Sequence, residues 1–266
     1  MRSIKMRFEH TMTFRLKATL AAVASALTLL ALPKPSVAAQ TLEEIPGIAG
    51  LRWSTGVQML PSGGVITVPA HAKLLSGAEV RKFQDIMSDV TGNGFDQTAE
   101  AELRFTRFGT VEYQFCNCGY TIPDDWNCVS TEEVISSIRR YYKDLGWDEV
   151  IDFARPPHYD RSHATITYLL HLRNSSLPNY YEGNALIFGR GGFETLVAVT
   201  RTGNAAGTWS ELEDAIAAFH FVSGRSFSDY RRGDQTSAMH IAAQFAKKAG
   251  ADDLVSRYAS CRTGVI

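Results

Sequence analysis

"NALIFGRGGFETLVAVTR", residues 184–201, places two apolar, β-branched runs on either side of Gly189-Arg190-Gly191-Gly192. Runs of this composition predict strands, and the glycine-rich link between them predicts a hairpin turn. Two strands joined so tightly must lie antiparallel. The same Gly-Arg-Gly-Gly run could hold an anion on backbone N–H groups and Arg190. No helix follows it, however, as phosphate-binding loops require, so the turn reading is preferred.

Working outward, "DEVIDF" (148–153) and "ATITYLLHL" (164–172) precede the hairpin as two further strands, and "AELRFTRF" (101–108) and "TVEYQFCN" (110–117) alternate about Gly109 as another pair. "PSGGVITVPA" (61–70) predicts one more strand. Helical periodicity appears in "GAEVRKFQDIMSDV" (77–90), with Ser76 as its cap and Gly92 and Gly94 as its stop. It is clearest in "STEEVISSIRRYYKDLG" (130–146), where Ser130 and Glu133 are spaced as a capping box. "ELEDAIAAFHFV" (211–222), "DQTSAMHIAAQFAKKAG" (234–250), capped by Asp234 or Thr236, and "DDLVSRYAS" (252–260) complete the helices. The predicted fold class is α+β: a central, mainly antiparallel sheet with flanking helices in a single domain.

The N-terminus predicts export. Arg2, Lys5, Arg7, Arg15 and Lys17 precede "ATLAAVASALTLLAL" (18–32), and small residues follow to Ala39. This is the layout of a signal peptide over residues 1–39, started at Met1, Met6 or Met12. Residues 40–62 then form an N-terminal extension and 63–266 the domain. Removing 1–39 takes six of the 27 basic and one of the 28 acidic residues and leaves a net charge of −6, which argues against a nucleic-acid partner. No later apolar run is long enough for a transmembrane helix. The predicted location is the periplasm or envelope of a bacterium.

"GYTIPDDWNCVSTEEVI", "RPPHYDRSHATITYLLHL", "GNALIFGRGGFETLVAV" and "FVSGRSFSDYRRGDQTSAMHIAA" follow one another in an order and spacing that resembles the domain of unknown function 2167 family, bacterial exported and membrane-anchored proteins without assigned activity. The matching positions are Gly119, Tyr120, Asp124, Asp125, Gly146, Trp147, Pro157, Tyr159, Asp160, Leu186, Gly189, Arg190, Gly192, Gly224, Asp229, Tyr230 and Asp234. The chain departs from the pattern in lacking a C-terminal spanning helix, in having Tyr168 where Trp is usual, and in its clustered cysteines. The resemblance implies no cofactor and no reaction. An unidentified envelope protein or small ligand is the expected partner, with room for a membrane partner in place of the anchor.

Three functional readings follow. The first is a non-catalytic binding or interaction domain whose candidate site is Tyr159, Asp160, Arg190, Asp229 and Asp234, should these converge. The second is a metal-assisted hydrolase using His158, Asp160 and His163, because imidazole and carboxylate suit zinc or copper, although their spacing matches no strong metal motif. The third is a thiol–disulfide protein using Cys116 and Cys118. In an oxidising compartment the four cysteines instead invite two disulfides. The expected pairings are Cys118 or Cys116 with Cys128, the remaining member reaching Cys261. Asp124 and Asp125 are expected in a solvated turn.

Overall fold

A computed structural model describes residues 45–91, 98–105, 109–123, 125–146, 148–173, 179–200 and 204–261. The strands are β1 (Val57–Met59), β2 (Gly64–Thr67), β3 (Ala72–Ser76), β4 (Ala99–Phe105), β5 (Gly109–Cys116), β6 (Glu149–Asp160), β7 (Thr165–Arg173), β8 (Tyr180–Phe188), β9 (Phe193–Thr200) and β10 (Phe219–Phe221). The helices are α1 (Ala78–Thr91), α2 (Thr131–Asp144), α3 (Ala205–Ala218), α4 (Ile241–Lys248) and α5 (Asp252–Ser260).

β8 and β9 form the expected hairpin, closed from Phe188 to Phe193, and lie inside a seven-stranded antiparallel sheet of order β3-β4-β5-β9-β8-β7-β6. Every residue of β9 is buried, because both faces of the sheet are covered. On one face Phe193, Val197 and Val199 pack with Val134, Ile138, Phe245 and Tyr258 of α2, α4 and α5. On the other Leu196 and Ala198 meet Leu212 and Ala215 of α3 and the apolar residues of a small sheet, β1-β2-β10. Alternation along β9 thus feeds two cores, and each fully buried Leu or Phe contributes about 2 kcal/mol of apolar burial. The architecture is α+β around an antiparallel sheet, as the hairpin predicts.

Several elements depart from the sequence reading. β6 runs through Pro156 and Pro157 to Asp160, with register shifts against β7. It is an edge strand, and there a proline removes no ladder bond on its open side. α3 starts earlier than expected because the Asn204 side chain accepts from Ala206 N at 3.1 Å, and it stops at Ala218 because Phe219–Phe221 pairs with β2. α4 covers only Ile241–Lys248. Neither Asp234 nor Thr236 caps it; the buried carboxylate of Asp125 accepts from Ala242 N at 3.0 Å instead, so Asp125 lies in no solvated turn. The part of the N-terminal extension that is described supplies β1 and the buried Ile48, Leu51 and Leu60. The signal-peptide residues, Gly92, Gly94, Asp124 and Trp147 lie outside the described residues.

The cysteine pairing also differs. The structure joins Cys128 to Cys261, Cα to Cα 6.4 Å, and leaves Cys116 and Cys118 as thiols. Helix packing explains this. Tyr258 OH accepts from Ser130 N at 3.2 Å and Arg257 pairs with Glu133 at 2.5 Å, so the end of α5 is held against the start of α2, beside Cys128. Cys116 closes β5 opposite Phe193, in the sheet layer rather than the helix layer.

Candidate functional site

Arg190 stands in the β8–β9 turn, half-buried, and reaches across to the long loop that follows β10. Its Nε and Nη2 donate to Asp234 Oδ2 and Oδ1, both at 2.7 Å, and its Nη1 donates to the Gly224 carbonyl at 3.2 Å. This two-pronged geometry is the strong form of an Arg–carboxylate pair. With the Arg190 hydrogen bonds first and the Arg231 backbone N–H second, the Asp234 carboxyl is held at about 2. The backbone repeats the link: Arg190 N donates to Arg225 O at 2.8 Å, and Gly189 forms a bridge with Ser226. Asp229 accepts from Ser226 N at 2.9 Å, which closes a capping box on the turn Phe227–Asp229, and its charge acts on Arg190.

A third segment joins from the end of β5. Gly119 N donates to Gly191 O at 3.0 Å, and Tyr120 exchanges bonds with Gln235 O at 2.9 Å and Ser237 N at 2.8 Å. Gly119 has φ +85°, and a Cβ there would come within 2.9 Å of the Thr236 carbonyl carbon, so both backbone shape and clearance require glycine. The Tyr120 ring is stacked between Phe227 (4.7 Å) and Tyr230 (4.1 Å).

These segments enclose a cleft of about 330 Å³, large enough for a small ligand or one side chain of a larger one. Phe115 and Phe221 give it an apolar wall, edge-on at 6.3 Å. Asn117 and Gln235 border it with amides, and Arg225 borders it with a guanidinium whose Nη1 donates to Ser62 O at 2.7 Å.

Of the five expected site residues, the structure brings together Arg190, Asp234 and Asp229. Tyr159 and Asp160 stand elsewhere. Tyr159 is buried against Trp126, ring centres 5.6 Å apart, and burial pushes its hydroxyl up to about 12. Asp160 sits in the β6–β7 turn, where Oδ1 accepts from Ser162 Oγ (2.6 Å) and Ser162 N (2.8 Å) and Oδ2 pairs with His163 Nδ1 (2.6 Å). Those bonds, Ser162 first, hold its carboxyl well below the usual range. His158 lies on β6 opposite Thr167 and does not join Asp160 and His163, and among the described residues no three His, Cys, Asp or Glu gather closely enough to hold a metal ion.

The family described as "Protein of unknown function (DUF2167)" matches residues 54–254. The chain belongs to the DUF2167 family. The cleft and both segments that the Arg190–Asp234 pair joins lie inside the matched DUF2167 span. No curated protein matches the chain. Among solved structures, the solution structure of cyanobacterial PsbP (CyanoP) from Synechocystis sp. PCC 6803 is similar over 71% of this chain and 99% of that one, at 14% identity and a TM-score of 0.37.

Sequence reasoning missed Asn117, Arg225, Gln235 and the two cleft phenylalanines. One signal was available: the chain has a second Gly-Arg dipeptide, Gly224-Arg225, matching Gly189-Arg190, and the two dipeptides bond to each other.

Proposed function

We propose that this DUF2167 member is an exported, non-catalytic binding domain of the bacterial envelope whose ligand seat is the cleft beside Arg190. The observation that carries the reading is the bidentate Arg190–Asp234 pair, which locks a loop onto the central hairpin and so holds open a cleft built from distant segments. A carboxylate held at about 2 is too weak a base for proton transfer near neutral pH, so Asp234 serves to position the loop. The signal-like residues 1–39 support export.

The lining indicates the ligand class. An exposed guanidinium, two amides and an edge-on phenylalanine pair suit a polypeptide end or segment that carries a carboxylate next to an apolar side chain. The test uses an acetylated tetrapeptide ending in Phe with a free carboxylate, labelled for fluorescence anisotropy, and the same peptide amidated. The free acid binds and the amide binds at least about tenfold more weakly, as loss of a charge-assisted bond requires. Asn117→Trp, which fills the cleft from an exposed position, abolishes binding without lowering the melting temperature. Equal binding of both peptides, or binding unchanged in Asn117→Trp, overturns the reading. Export is checked separately by fractionating cells that express the full chain: the protein is recovered outside the cytoplasm with a new N-terminus near Ala39 or Gln40.

A further inference from the structure

Cys116 and Cys118 are half-buried, stand one residue apart and carry thiols. Cys116 ends β5 with Phe193 as its ladder partner, and Cys118 folds back so that its Sγ lies 3.4 Å from the Cys116 carbonyl oxygen. Lys248, at the end of α4, places its Nζ 5.7 Å from the centre of the Phe193 ring, which puts a lysine amine beside the same strand position. Burial lowers the Lys248 pKa from the ordinary lysine value, and the neighbouring Cys116, Cys118, Glu112 and Glu194 act to raise it. Along β5, Cys116 and Glu112 alternate with Phe115 and lie on the opposite sheet face, whereas Glu194 pairs with Phe115; Cys116 and Cys118 pack against the helix-side core, away from the cleft that Asn117, between them, borders.

We propose that Cys116 and Cys118 are a dithiol that exchanges with the disulfides of other polypeptides, a site separate from the ligand cleft. Cys116 is the attacking sulfur. The hydrogen bond from Cys118 draws its thiol below the usual range, burial opposes this, and the Lys248 charge adds to it, while Cys118 is driven the other way and keeps its proton. That division gives one thiolate and one resolving thiol. The Cys116 thiolate attacks one sulfur of a substrate disulfide, breaks that S–S bond, forms a mixed disulfide and releases the first substrate thiolate, which takes up a proton. Cys118, once deprotonated, attacks the Cys116 sulfur, forms the Cys116–Cys118 bond and releases the second substrate thiol. Two electrons and two protons pass from the pair to the substrate. A bond closed across a single residue is strained and easily reduced, so excess disulfide drives it closed, free thiol reopens it, and the exchange runs in both directions. The lysine also argues for exchange over metal binding, since its charged form favours a thiolate but repels a cation, and among the described residues no third ligand completes a metal set.

The probe is oxidised glutathione, applied to the natively purified exported protein, with each product located by non-reducing peptide mapping. The wild type gives an internal Cys116–Cys118 disulfide and two glutathione thiols. Cys118→Ser stops at a stable one-to-one adduct on Cys116, and Cys116→Ser reacts at least about tenfold more slowly. Lys248→Met slows the wild-type reaction at pH 7 by about threefold to tenfold and moves its rate–pH curve upward, and Lys248→Arg restores both. The proposal is overturned if the folded Cys118→Ser protein takes up no glutathione at Cys116, if Cys116→Ser and Cys118→Ser react at equal rates, if glutathione enters at Cys128 or Cys261 instead, or if the rate–pH curve of Lys248→Met is unmoved.

Discussion

The β6–β7 turn and the loop after β10 both gather charged residues that match the DUF2167 pattern, yet they build opposite things. Asp160 and His163 are three residues apart, and the carboxylate is consumed locally by Ser162 and His163 on a surface where the two side chains are 40% and 77% exposed. Arg190 and Asp234 are 44 residues apart, and their side chains are only 27% and 18% exposed. The first cluster satisfies itself and ends a strand. The second joins a hairpin to a loop, and the cleft is what is left between them. Chemistry-bearing residues crowded in sequence are thus a weak guide to a site here, whereas a pair that holds distant segments together is a strong one.

The comparison breaks first at Arg190. Arg190→Met strands a partly buried Asp234 and unpins the loop, so it abolishes peptide binding, lowers the urea midpoint, and raises amide exchange over 224–237 at least about tenfold. If exchange there stays at the wild-type rate, the pair does not hold the cleft open.

Changing pH separates the cleft from the core. Asp234, held at about 2, stays charged above pH 4; its contribution is present above the ordinary carboxylate range and is lost as pH falls through about 2. Glu102 and Glu182 act in the opposite sense. Burial raises each to about 7, so between pH 4.5 and 7 the folded chain holds protons that the unfolded chain has released. Stability therefore falls as pH rises through that window, by on the order of 3 kcal/mol for each group, and levels off above it. Glu182→Gln, which can keep the bonds to Tyr142 and Asn184, roughly halves the slope in urea titrations across pH 5–8, leaving the part due to Glu102. Peptide binding stays constant over the same range.

A smaller effect is expected at the glycines of the cleft wall. Gly119→Ala, at φ +85° and against the 236 backbone, costs about 1–3 kcal/mol, while Gly191→Ala, with open space around it, costs less than about 0.5 kcal/mol by thermal unfolding. Smallest of all is the turn cluster: Asp160→Asn and His163→Ala leave peptide affinity unchanged and shift the melting temperature by no more than about 2 °C.

Much of the sheet was legible because its signals are local. The β8–β9 hairpin, the β4–β5 pair and α2 announce themselves by alternation, turn glycines and the Ser130 cap, whose side chain accepts from Glu133 N at 3.4 Å. Elements set by distant partners were not legible. β10 exists because β2 lies beside it, and α4 begins where Asp125, 117 residues earlier, can cap it. The Cys128–Cys261 pairing follows from the docking of α5 on α2, which cysteine spacing does not encode. The site was half visible. Arg190, Asp229 and Asp234 could be named from the family pattern, but Arg225 and Asn117 acquire a role only when the three segments meet.

The central claim, that the cleft and not the histidine turn is the binding site, is tested most directly by amide hydrogen exchange with and without a saturating concentration of the Phe-ending peptide. The expected result is protection confined to 115–119, 189–192 and 222–237, with 156–165 unchanged. Protection over 156–165 with the three cleft segments unaltered contradicts it.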